Sequence, residues 1–258
     1  MDDESVEVFL RRLGVEWEGR PTVAALQEIH ERYMLAVPFE NIDFHLRKPI
    51  DLGAGAIDKI VHQGRGGCCF ELNGVFSEFL VALGYGVTVL GVRVAEDHEG
   101  LGPVMGHMSI KVVAEDSAEP WLADVGYARG FRRPLRLGSR VPQHDPHGVF
   151  QVAEGPPGDV DVFRDGMHQY RVEARPRAVA DFEAMLWFFR HNAEESPHLL
   201  RLYCTRPTRS GRVTITGNTL IRRENDARVK LELADSELGE AYRTWFGFEL
   251  DEIPAPPA

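Results

Sequence analysis

The stretch Arg65-Gly66-Gly67-Cys68-Cys69-Phe70-Glu71-Leu72-Asn73 decides how this chain is organised. Two glycines stand directly before two cysteines, and from Leu72 onward apolar residues recur at intervals of three or four until Gly84. This spacing is typical of a helix, and glycine is common just after a helix C-terminus. The pattern therefore places Cys69 at or just before the N-terminus of a helix.

That position favours a reactive thiol. Unpaired N–H groups and the helix dipole stabilise an anion at a helix N-terminus, which lowers the pKa of a thiol. The glycines let the backbone approach a substrate closely, and the N–H of Cys69 or Phe70 is then placed to serve an oxyanion in acyl transfer. The alternative is a buried cysteine that acts only as a small apolar residue. A nucleotide P-loop is disfavoured, because no Gly-Lys-Ser/Thr follows.

Composition indicates an ordinary globular protein. The chain has 258 residues, 43% of them hydrophobic and 27% charged, enough for one large domain or two to three small ones. No apolar run approaches the length of a membrane span. The acidic residues 1–5 lack the apolar segment of a secretory signal, so we expect a cytoplasmic protein.

The net charge argues against two classes of partner, and the cysteine content argues against disulfides and metal sites. The formal net charge of −11 weighs against nucleic acid and against anionic membranes, which both require a basic surface. Three cysteines, an odd number, argue against a disulfide framework. No Cys-x-x-Cys pair or His/Cys ligand cluster is present, so we expect no bound metal.

The periodicity changes twice along the chain. Helical stripes fill the first third, including a third helix expected near residues 56–62, and a turn lies at residues 37–41. β-type alternation between residues 86 and 173 predicts an antiparallel sheet or barrel. The last part combines an aromatic helix near residues 181–190, which we interpret as core, a hairpin at Gly217-Asn218 and a final helix.

Two predicted strands carry residues that would activate Cys69. His107 opens one strand, and Asp124 lies within an apolar strand at residues 121–127, where an unpaired carboxylate is costly. The Nδ1–H of His107 would supply the partner that Asp124 needs. A thiol becomes an acyl-transfer nucleophile when a histidine takes its proton and a carboxylate orients that histidine. A purely structural role for a strand histidine is the alternative.

These motifs, in this order, resemble the arylamine N-acetyltransferase family. The similarity rests on residues 65–73, residues 37–41, His107 at a strand start and Asp124-Val125-Gly126. It implies an α+β fold with a cysteine-protease-like Cys-His-Asp arrangement. Its three parts are a helical bundle (residues 1–85), a central antiparallel β-barrel (residues 86–178) and a C-terminal α/β lid (residues 179–258).

The resemblance also implies a chemistry. Cys69, His107 and Asp124 form the catalytic triad, with Cys69 rather than Cys68 as nucleophile. An acyl group, acetyl by preference, passes from coenzyme A through an acyl-cysteine to an aromatic amine or hydrazine by a ping-pong mechanism. The partners are then a small aromatic amine and a thioester of coenzyme A or of an acyl carrier protein, and no cofactor is permanently bound.

Further residues are candidates for binding substrates. Phe39 and Tyr127 are candidates for pocket walls, with plain core packing as the alternative. Arg132 and Arg133 belong to a run of arginines between residues 129 and 140 that contains no acidic residue, and they are candidates for docking an anionic acyl donor. The alternative is a set of solvated loop arginines.

Thr216 and Gly217, in the predicted hairpin, are further candidates for contacts with the acyl donor. The family commonly continues Asp-Val-Gly-Phe-Gly, whereas Tyr127 and Ala128 follow Gly126 here. This departure affects the pocket next to the triad.

Three other functions are compatible with these residues. An amide synthase of the same family would release a polyketide chain from a carrier-protein thioester as an amide or macrolactam. A thiol hydrolase would use the same triad with water as the acceptor, as transglutaminases and cysteine proteases do. A binding protein could keep the scaffold without turnover, and its thiol would then alkylate no faster than free cysteine.

Overall fold

Helices lie near both ends of the chain and strands form its middle. The computed structural model describes residues 1–96, 100–192, 194, 196–225 and 227–255. The helices of these residues are α1 (Asp3–Leu13), α2 (Val23–Ala36), α3 (Ile42–His45), α4 (Ala54–Ile57), α5 (Cys69–Ala82), α6 (Glu183–His191) and α7 (Asp235–Phe246). A π-helical turn (Asp58–His62) follows α4, and a 3₁₀ turn (Val179–Phe182) precedes α6.

The strands divide into two antiparallel sheets, which confirms the α+β class. They are β1 (Phe39–Glu40), β2 (Gly86–Glu96), β3 (Gly100–Leu101), β4 (His107–Val113), β5 (Trp121–Ala123), β6 (Leu135–Arg136), β7 (Gln143–Asp145), β8 (Gly148–Glu154), β9 (Val160–Arg164), β10 (Met167–Arg177), β11 (Tyr203–Thr208), β12 (Gly211–Thr216), β13 (Thr219–Glu224) and β14 (Ala227–Glu232).

The larger sheet is a nearly closed barrel, as expected. Its strands run in the order β6-β5-β4-β2-β10-β9-β8-β7, with β3 paired to β2. Between the two end strands, the Gln143 side chain bonds both the N–H and the carbonyl of Arg136, at 2.8 and 3.2 Å. Apolar side chains such as Leu122, Phe150 and Val162 fill one core cluster inside this sheet.

The smaller sheet has the order β1-β11-β12-β13-β14. The predicted hairpin is confirmed as the β12–β13 turn, in which Thr216 pairs with Thr219 and Gly217 has a φ of 52°. Leu238 and Tyr242 of α7 pack in one cluster with Ile215 of this sheet. Because β1 belongs to the first 85 residues, the C-terminal sheet is anchored on the N-terminal part of the chain. The three-part division itself stays a prediction.

Helix α5 is enclosed by the rest of the molecule. Every residue from 69 to 80 is buried except Glu78. The sequence predicted an apolar stripe, but the structure also buries the polar side chains of Glu71, Asn73 and Ser77. Buried polar groups need hydrogen-bond partners. The polar face of α5 is therefore where the helix meets the residues of the candidate site.

Two predicted elements differ from the structure. The helix expected near residues 56–62 is the short α4 followed by the π-helical turn. Asp124 follows β5 instead of lying inside a strand, because its carboxylate accepts the N–H groups of Gly126 and Tyr127 and turns the chain there. Within the described ranges, no helix has both the length and the apolar character that crossing a bilayer requires.

Candidate active site

Cys69 is the first residue of α5, as the sequence predicted. Cys68 is the N-cap residue, and its N–H donates to Oε2 of Glu71 at 2.9 Å. Glutamate three positions after the cap commonly makes this bond. Cys69 is only 4% exposed. Its thiol lies in the first helical turn, where free N–H groups and the helix dipole stabilise a thiolate.

A buried ionic cluster fixes the start of this helix. Nζ of Lys59 lies 2.9 Å from Glu71, 2.6 Å from Asp43 and 3.4 Å from Glu40. Arg65 bonds Glu40 at 2.6 Å and Asp43 at 3.1 Å. Burial alone would lower the pKa of Lys59, but the three carboxylates outweigh it and raise that pKa. The charged residues of the 65–73 stretch thus hold the loop before Cys69 in place.

Gly66 and Gly67 allow this loop to pack closely on its neighbours. A Cβ on Gly66 would lie 2.0 Å from the carbonyl oxygen of Pro38, and a Cβ on Gly67 would lie 2.8 Å from Oε2 of Glu71. The carbonyl of Gly67 also accepts the N–H of Glu40 at 3.0 Å. The structure gives these glycines a packing role, and the close approach to a substrate expected from the sequence stays a prediction.

His107 and Asp124 form a buried pair beside Cys69. His107 begins β4, and Asp124 directly follows β5, the neighbouring strand. Nε2 of His107 lies 2.8 Å from Oδ2 of Asp124. The sequence predicted the pair through Nδ1, whereas the structure uses Nε2 and leaves Nδ1 for the thiol. His107 and Cys69 lie close enough for each to shift the pKa of the other, so the three predicted residues lie together.

Asp124 has further donors besides the imidazole. Its Oδ1 accepts from Nδ2 of Asn73 at 2.9 Å and from the N–H groups of Gly126 and Tyr127 at 3.1 and 3.0 Å. Asn73 in turn accepts the N–H of Val125 at 2.9 Å. A carboxylate held by several donors keeps one orientation. Asp124 is therefore well placed to orient His107.

A second buried histidine, His30, contacts the backbone of Asp124. Nε2 of His30 lies 3.2 Å from the N–H of Asp124, and Nδ1 of His30 lies 2.9 Å from the carbonyl oxygen of Arg132. Burial lowers the pKa of His30, which keeps its ring neutral. The neutral ring donates through Nδ1–H and accepts at Nε2. His30 thus holds the backbone of Asp124 in position.

Electrostatics at the site favour a thiolate–imidazolium pair. A hydrogen bond from Cys68 lowers the pKa of Cys69 most, burial opposes it, and His107 and His198 lower it further, to well below the ordinary value. Burial and the bond to Cys69 raise the pKa of Cys68 instead. Burial alone would lower the pKa of His107, but Asp124 and Cys69 raise it to about 10. These opposite shifts favour Cys69 over Cys68 as the thiol that ionises.

Gly126 brings the loop after Asp124 against the start of α5. A Cβ at this position would lie 2.8 Å from Cα of Cys69, 2.9 Å from its carbonyl oxygen and 2.6 Å from Nδ2 of Asn73. Backbone atoms cannot move aside as a flexible side chain can. Only glycine therefore fits where the loop after Asp124 passes Cys69.

The two predicted pocket residues lie among aromatic rings. Phe39 stacks on Tyr203 with ring centroids 5.2 Å apart and planes 4° apart. Burial and then the charge of Cys69 raise the pKa of Tyr203, which places this ring near the thiolate. Tyr127 lies 5.6 Å from the His107 ring and 5.2 Å from Tyr170. Their role as pocket walls stays a prediction.

Arg132 does not belong to a solvated basic surface. It is 5% exposed, its Nη2 bonds Glu31 at 2.7 Å, and its Nη1 bonds the carbonyl of Arg209 at 3.2 Å. An enclosed and paired guanidinium has little charge left for an anionic ligand. This corrects the expectation for Arg132. Arg133 is exposed and pairs with Glu31 at 3.4 Å, and its contact with the acyl donor stays a prediction.

Thr216 and Gly217 form the β12–β13 turn. The Thr216 hydroxyl and the Gly217 N–H both donate to the carbonyl of Leu202 at 3.1 Å. These bonds stabilise the hairpin, and the predicted contact with the acyl donor stays a prediction.

Comparison with known proteins assigns the family. A family model described as N-acetyltransferase matches residues 22–254. An arylamine N-acetyltransferase of Escherichia coli (strain K12) is 30% identical over 225 residues, which are 84% of this chain and 79% of that protein. This chain belongs to the arylamine N-acetyltransferase family. The resemblance inferred from the sequence motifs is confirmed.

A solved structure of the arylamine N-acetyltransferase from Salmonella typhimurium shares the whole fold. The TM-score is 0.88 at 28% identity, over 98% of this chain and 94% of that one. The family also includes a relative with another name, Proansamycin X synthase of Amycolatopsis mediterranei (strain S699), which is 32% identical over 47% of this chain and 48% of its own length. The chain spans about half the length of several curated relatives that it matches, 53% and 47% in two cases.

Sequence reasoning missed several residues of this candidate site. Asn73 lies in the quoted stretch, but nothing in its spacing indicates a bond to Asp124. His30 and His198 are far from the motifs in sequence, and each is one of ten histidines. The one available signal is the position of His30 on the buried face of α2, beside Tyr33 and Leu26.

Proposed function

We propose that this protein transfers an acyl group, acetyl by preference, from a coenzyme A thioester to an aromatic amine or hydrazine through an acyl-cysteine at Cys69. The observation that carries the proposal is the buried Cys69–His107–Asp124 chain, in which Nε2 of His107 lies 2.8 Å from Asp124. Membership of the arylamine N-acetyltransferase family supports the choice of donor and acceptor.

The first half-reaction starts from the thiolate–imidazolium pair. The Cys69 sulfur attacks the thioester carbonyl carbon, and a C–S bond forms while the bond to the coenzyme A sulfur breaks. His107 gives its proton to the departing thiolate, which leaves as a free thiol. The products are an acyl-cysteine and a neutral His107. The free N–H groups at the start of α5 are placed to stabilise the oxyanion formed in between.

The second half-reaction regenerates the site. The amine nitrogen attacks the acyl carbon, and the C–S bond to Cys69 breaks as the C–N bond forms. His107 takes the proton that the amine loses, which restores the imidazolium and the thiolate. Asp124 stabilises the charged ring and holds its tautomer. Because one histidine serves as acid and then as base, its pKa must be tuned by Asp124, which raises it.

The aromatic surroundings of the site support an aromatic acceptor. Phe39 and Tyr203 stack near Cys69, and Tyr127 lies beside His107. Flat rings offer stacking and edge contacts to a planar aryl amine. An exposed arginine, Arg129, follows the triad loop and acts on Tyr203 electrostatically, so we assign it to the phosphates of the donor.

Intact mass spectrometry after mixing with acetyl-CoA tests the proposal. We expect a gain of one acetyl group on Cys69 that disappears when an aryl amine or hydrazine is added and yields the amide. Cys69→Ser should give no acetyl adduct, because a serine hydroxyl ionises far less readily than this thiol. An adduct on Cys68, or only hydrolysis of acetyl-CoA with the amine present, would contradict the transferase and favour the thiol hydrolase.

The amide synthase is the second candidate, and the match to Proansamycin X synthase favours it. The same thiolate would attack a carrier-protein thioester, and an aryl amine on the same chain would release the product as an amide. A parallel assay with an aryl thioester carried on phosphopantetheine separates the two. A higher kcat/KM for that donor than for acetyl-CoA would favour the amide synthase over the acetyl-CoA-dependent transferase.

A further inference from the structure

The free edge of the smaller sheet carries an apolar strip. β14 is the last strand of that sheet, and each of its residues is exposed. The side chains of Val229 and Leu231 are 47% and 53% exposed. Together with Leu233 they line a groove of about 480 Å³ beside Trp245 of α7. A sheet edge of this kind readily pairs with another strand, because its backbone groups are unpaired and its side chains are apolar.

The backbone groups that β14 leaves unpaired can be identified. In an antiparallel pair, only every second residue exchanges hydrogen bonds with the residue opposite. The N–H of Leu233 donates to the carbonyl of Asn218 at 2.8 Å, which continues the register of β14 on β13. Odd-numbered residues such as Val229 and Leu231 therefore bond β13. The residues that direct their N–H and carbonyl groups to the free edge are Arg228, Lys230 and Glu232.

These even-numbered residues carry both signs of charge on the face opposite the apolar strip. Nζ of Lys230 lies 3.0 Å from Oε1 of Glu232, and both side chains are mostly exposed. Side chains directly opposite each other in a strand pair interact, and like charges there are destabilising. The charges of β14 therefore restrict the registers in which this strand can pair with a copy of itself.

One register avoids opposed like charges. In an antiparallel pairing of two identical strands, one residue lies on the two-fold axis, opposite itself. An axis at Lys230 or at Glu232 places two like charges opposite each other. An axis at Val229 places Arg228 opposite Lys230, again two like charges. An axis at Leu231 instead places Lys230 of each copy opposite Glu232 of the other.

We propose that β14 is a homodimer interface, in which two copies of this chain pair antiparallel with Leu231 on the two-fold axis. Val229 of each copy then lies opposite Leu233 of the other, so the two apolar strips join and are removed from water. The outward backbone groups pair, and the two smaller sheets become one continuous sheet. The apolar strip supplies the affinity, whereas the exposed charges select the register and add little to stability.

Pairing at this edge leaves the candidate active site accessible. The opposite edge of the same sheet is β1, in which the N–H of Glu40 donates to Gly67 of the loop before Cys69. Neighbouring strands lie about 4.8 Å apart, so the four steps from β1 to β14 span about 19 Å. Each copy therefore keeps its own site. The inference is independent of the proposed function, because it concerns assembly and not the reaction.

Sedimentation equilibrium of the full chain, whose mass is 29.0 kDa, tests the proposal. At physiological salt we expect a dimer with a Kd of about 1–100 µM. Leu231→Lys places two ammonium groups opposite each other on the axis and should raise that Kd about 100-fold. The control is Val113→Lys on β4, where Val113 is 44% exposed, and its Kd should not change. A wild-type chain that stays monomeric throughout that range, or equal effects of the two variants, would overturn the proposal.

Oxidative cross-linking tests the register. The cysteines of the chain, Cys68, Cys69 and Cys204, are buried, so an added surface thiol is the one free to cross-link. In Leu231→Cys the two thiols face each other with Cα atoms about 4.5 Å apart, which suits a disulfide. In Val229→Cys they lie about 13 Å apart and should stay reduced. Cross-linking of Val229→Cys in place of Leu231→Cys, or of both equally, would overturn the proposed pairing.

Discussion

Oε2 of Glu71 accepts the backbone N–H of Cys68 at 2.9 Å, directly before the nucleophile. The other oxygen, Oε1, lies 2.9 Å from Nζ of Lys59. Burial raises the pKa of Glu71, and Lys59 opposes that rise. The first turn of α5 therefore depends on the buried carboxylate of Glu71. The neighbouring ammonium group of Lys59 stabilises that negative charge.

Replacing Lys59 by methionine should destabilise the protein strongly. Glu71 would then lose the cation it pairs with, whereas Glu40 and Asp43 would keep Arg65. Removing one partner of a buried ion pair typically costs about 3–5 kcal/mol. We expect Lys59→Met to lower the free energy of unfolding by that amount in urea denaturation.

The matched control is Lys230→Met. Lys230 pairs with Glu232 at 3.0 Å, but both side chains are mostly exposed. Exposed pairs contribute less than about 1 kcal/mol. Equal losses in the two variants would show that the buried cluster is not what holds the start of α5.

Removing the Cys68 thiol should shift the reactivity of Cys69 toward higher pH. The Cys68 bond is the main cause that lowers the pKa of Cys69, so Cys68→Ala should raise that pKa and make the thiolate appear only at higher pH. We expect the midpoint of iodoacetamide alkylation to rise by about one unit, with most acyl transfer retained near pH 8.5. Cys68→Ser keeps a donor and should lie near the wild type. A dead Cys68→Ala enzyme would contradict the assignment of Cys69.

Asp124→Asn should preserve the shape of the site and remove its activity. An amide holds His107 in the wrong tautomer and no longer supports the raised pKa of its ring, which is about 10 with the carboxylate present. We expect kcat to fall by about 10³ to 10⁴. Measured pH–rate profiles should also lose the region in which the imidazolium forms. A near-normal profile would reduce Asp124 to a structural residue.

Gly126→Ala should disturb Cys69 through packing alone. The new Cβ would meet Cα of Cys69 at 2.8 Å, which forces the backbone apart. Overpacking of this kind typically costs about 1–3 kcal/mol, and misplacing the nucleophile should lower kcat as well. Gly138→Ala is the control, because a Cβ there has no atom within 4 Å. The unfolding temperature and kcat of both variants show whether the close approach of residue 126 to Cys69 is needed for stability and for activity.

Arg129→Glu should weaken the use of an anionic acyl donor. We expect the KM for acetyl-CoA to rise about 3- to 10-fold at low ionic strength, and the difference to shrink as salt screens the charge. A small uncharged thioester should be used as before. Arg140→Glu reverses another exposed charge of the same loop region and should change little. Equal effects on charged and uncharged donors would remove the docking role.

The sequence alone was sufficient for most local elements, although not for the short α4 and the π-helical turn that follows it. The helix that starts at Cys69 ends at Ala82, close to the Gly84 stop, because caps and stops act within a few residues of the helix end. The hairpin at residue 217 follows from the left-handed conformation that glycine tolerates. Cys69 at the first position of α5 follows from the same local signals.

The motifs also brought Cys69, His107 and Asp124 into one hypothesis, although each lies on a different element. Their combination in a fixed order is specific, whereas each residue alone is not. Spacing could not show which nitrogen of His107 faces Asp124. Which nitrogen faces Asp124 depends on where the ends of β4 and β5 lie relative to α5. Only the tertiary structure determines these positions.

Only the tertiary structure decided the surroundings of the triad. His30 meets Asp124 across 94 positions of sequence, and Asn41 meets His198 across 157. Contacts between residues so far apart in the sequence produce no periodic pattern from which they could be predicted. They depend on the packing of whole elements and not on neighbouring residues. Arg132 shows the same limit: its charge is visible in the sequence, but its burial against Glu31 is set by where α2 meets the loop after β5. The sequence by itself determined the helix and the position of Cys69 at its start, and tertiary packing determined which side chains surround Cys69.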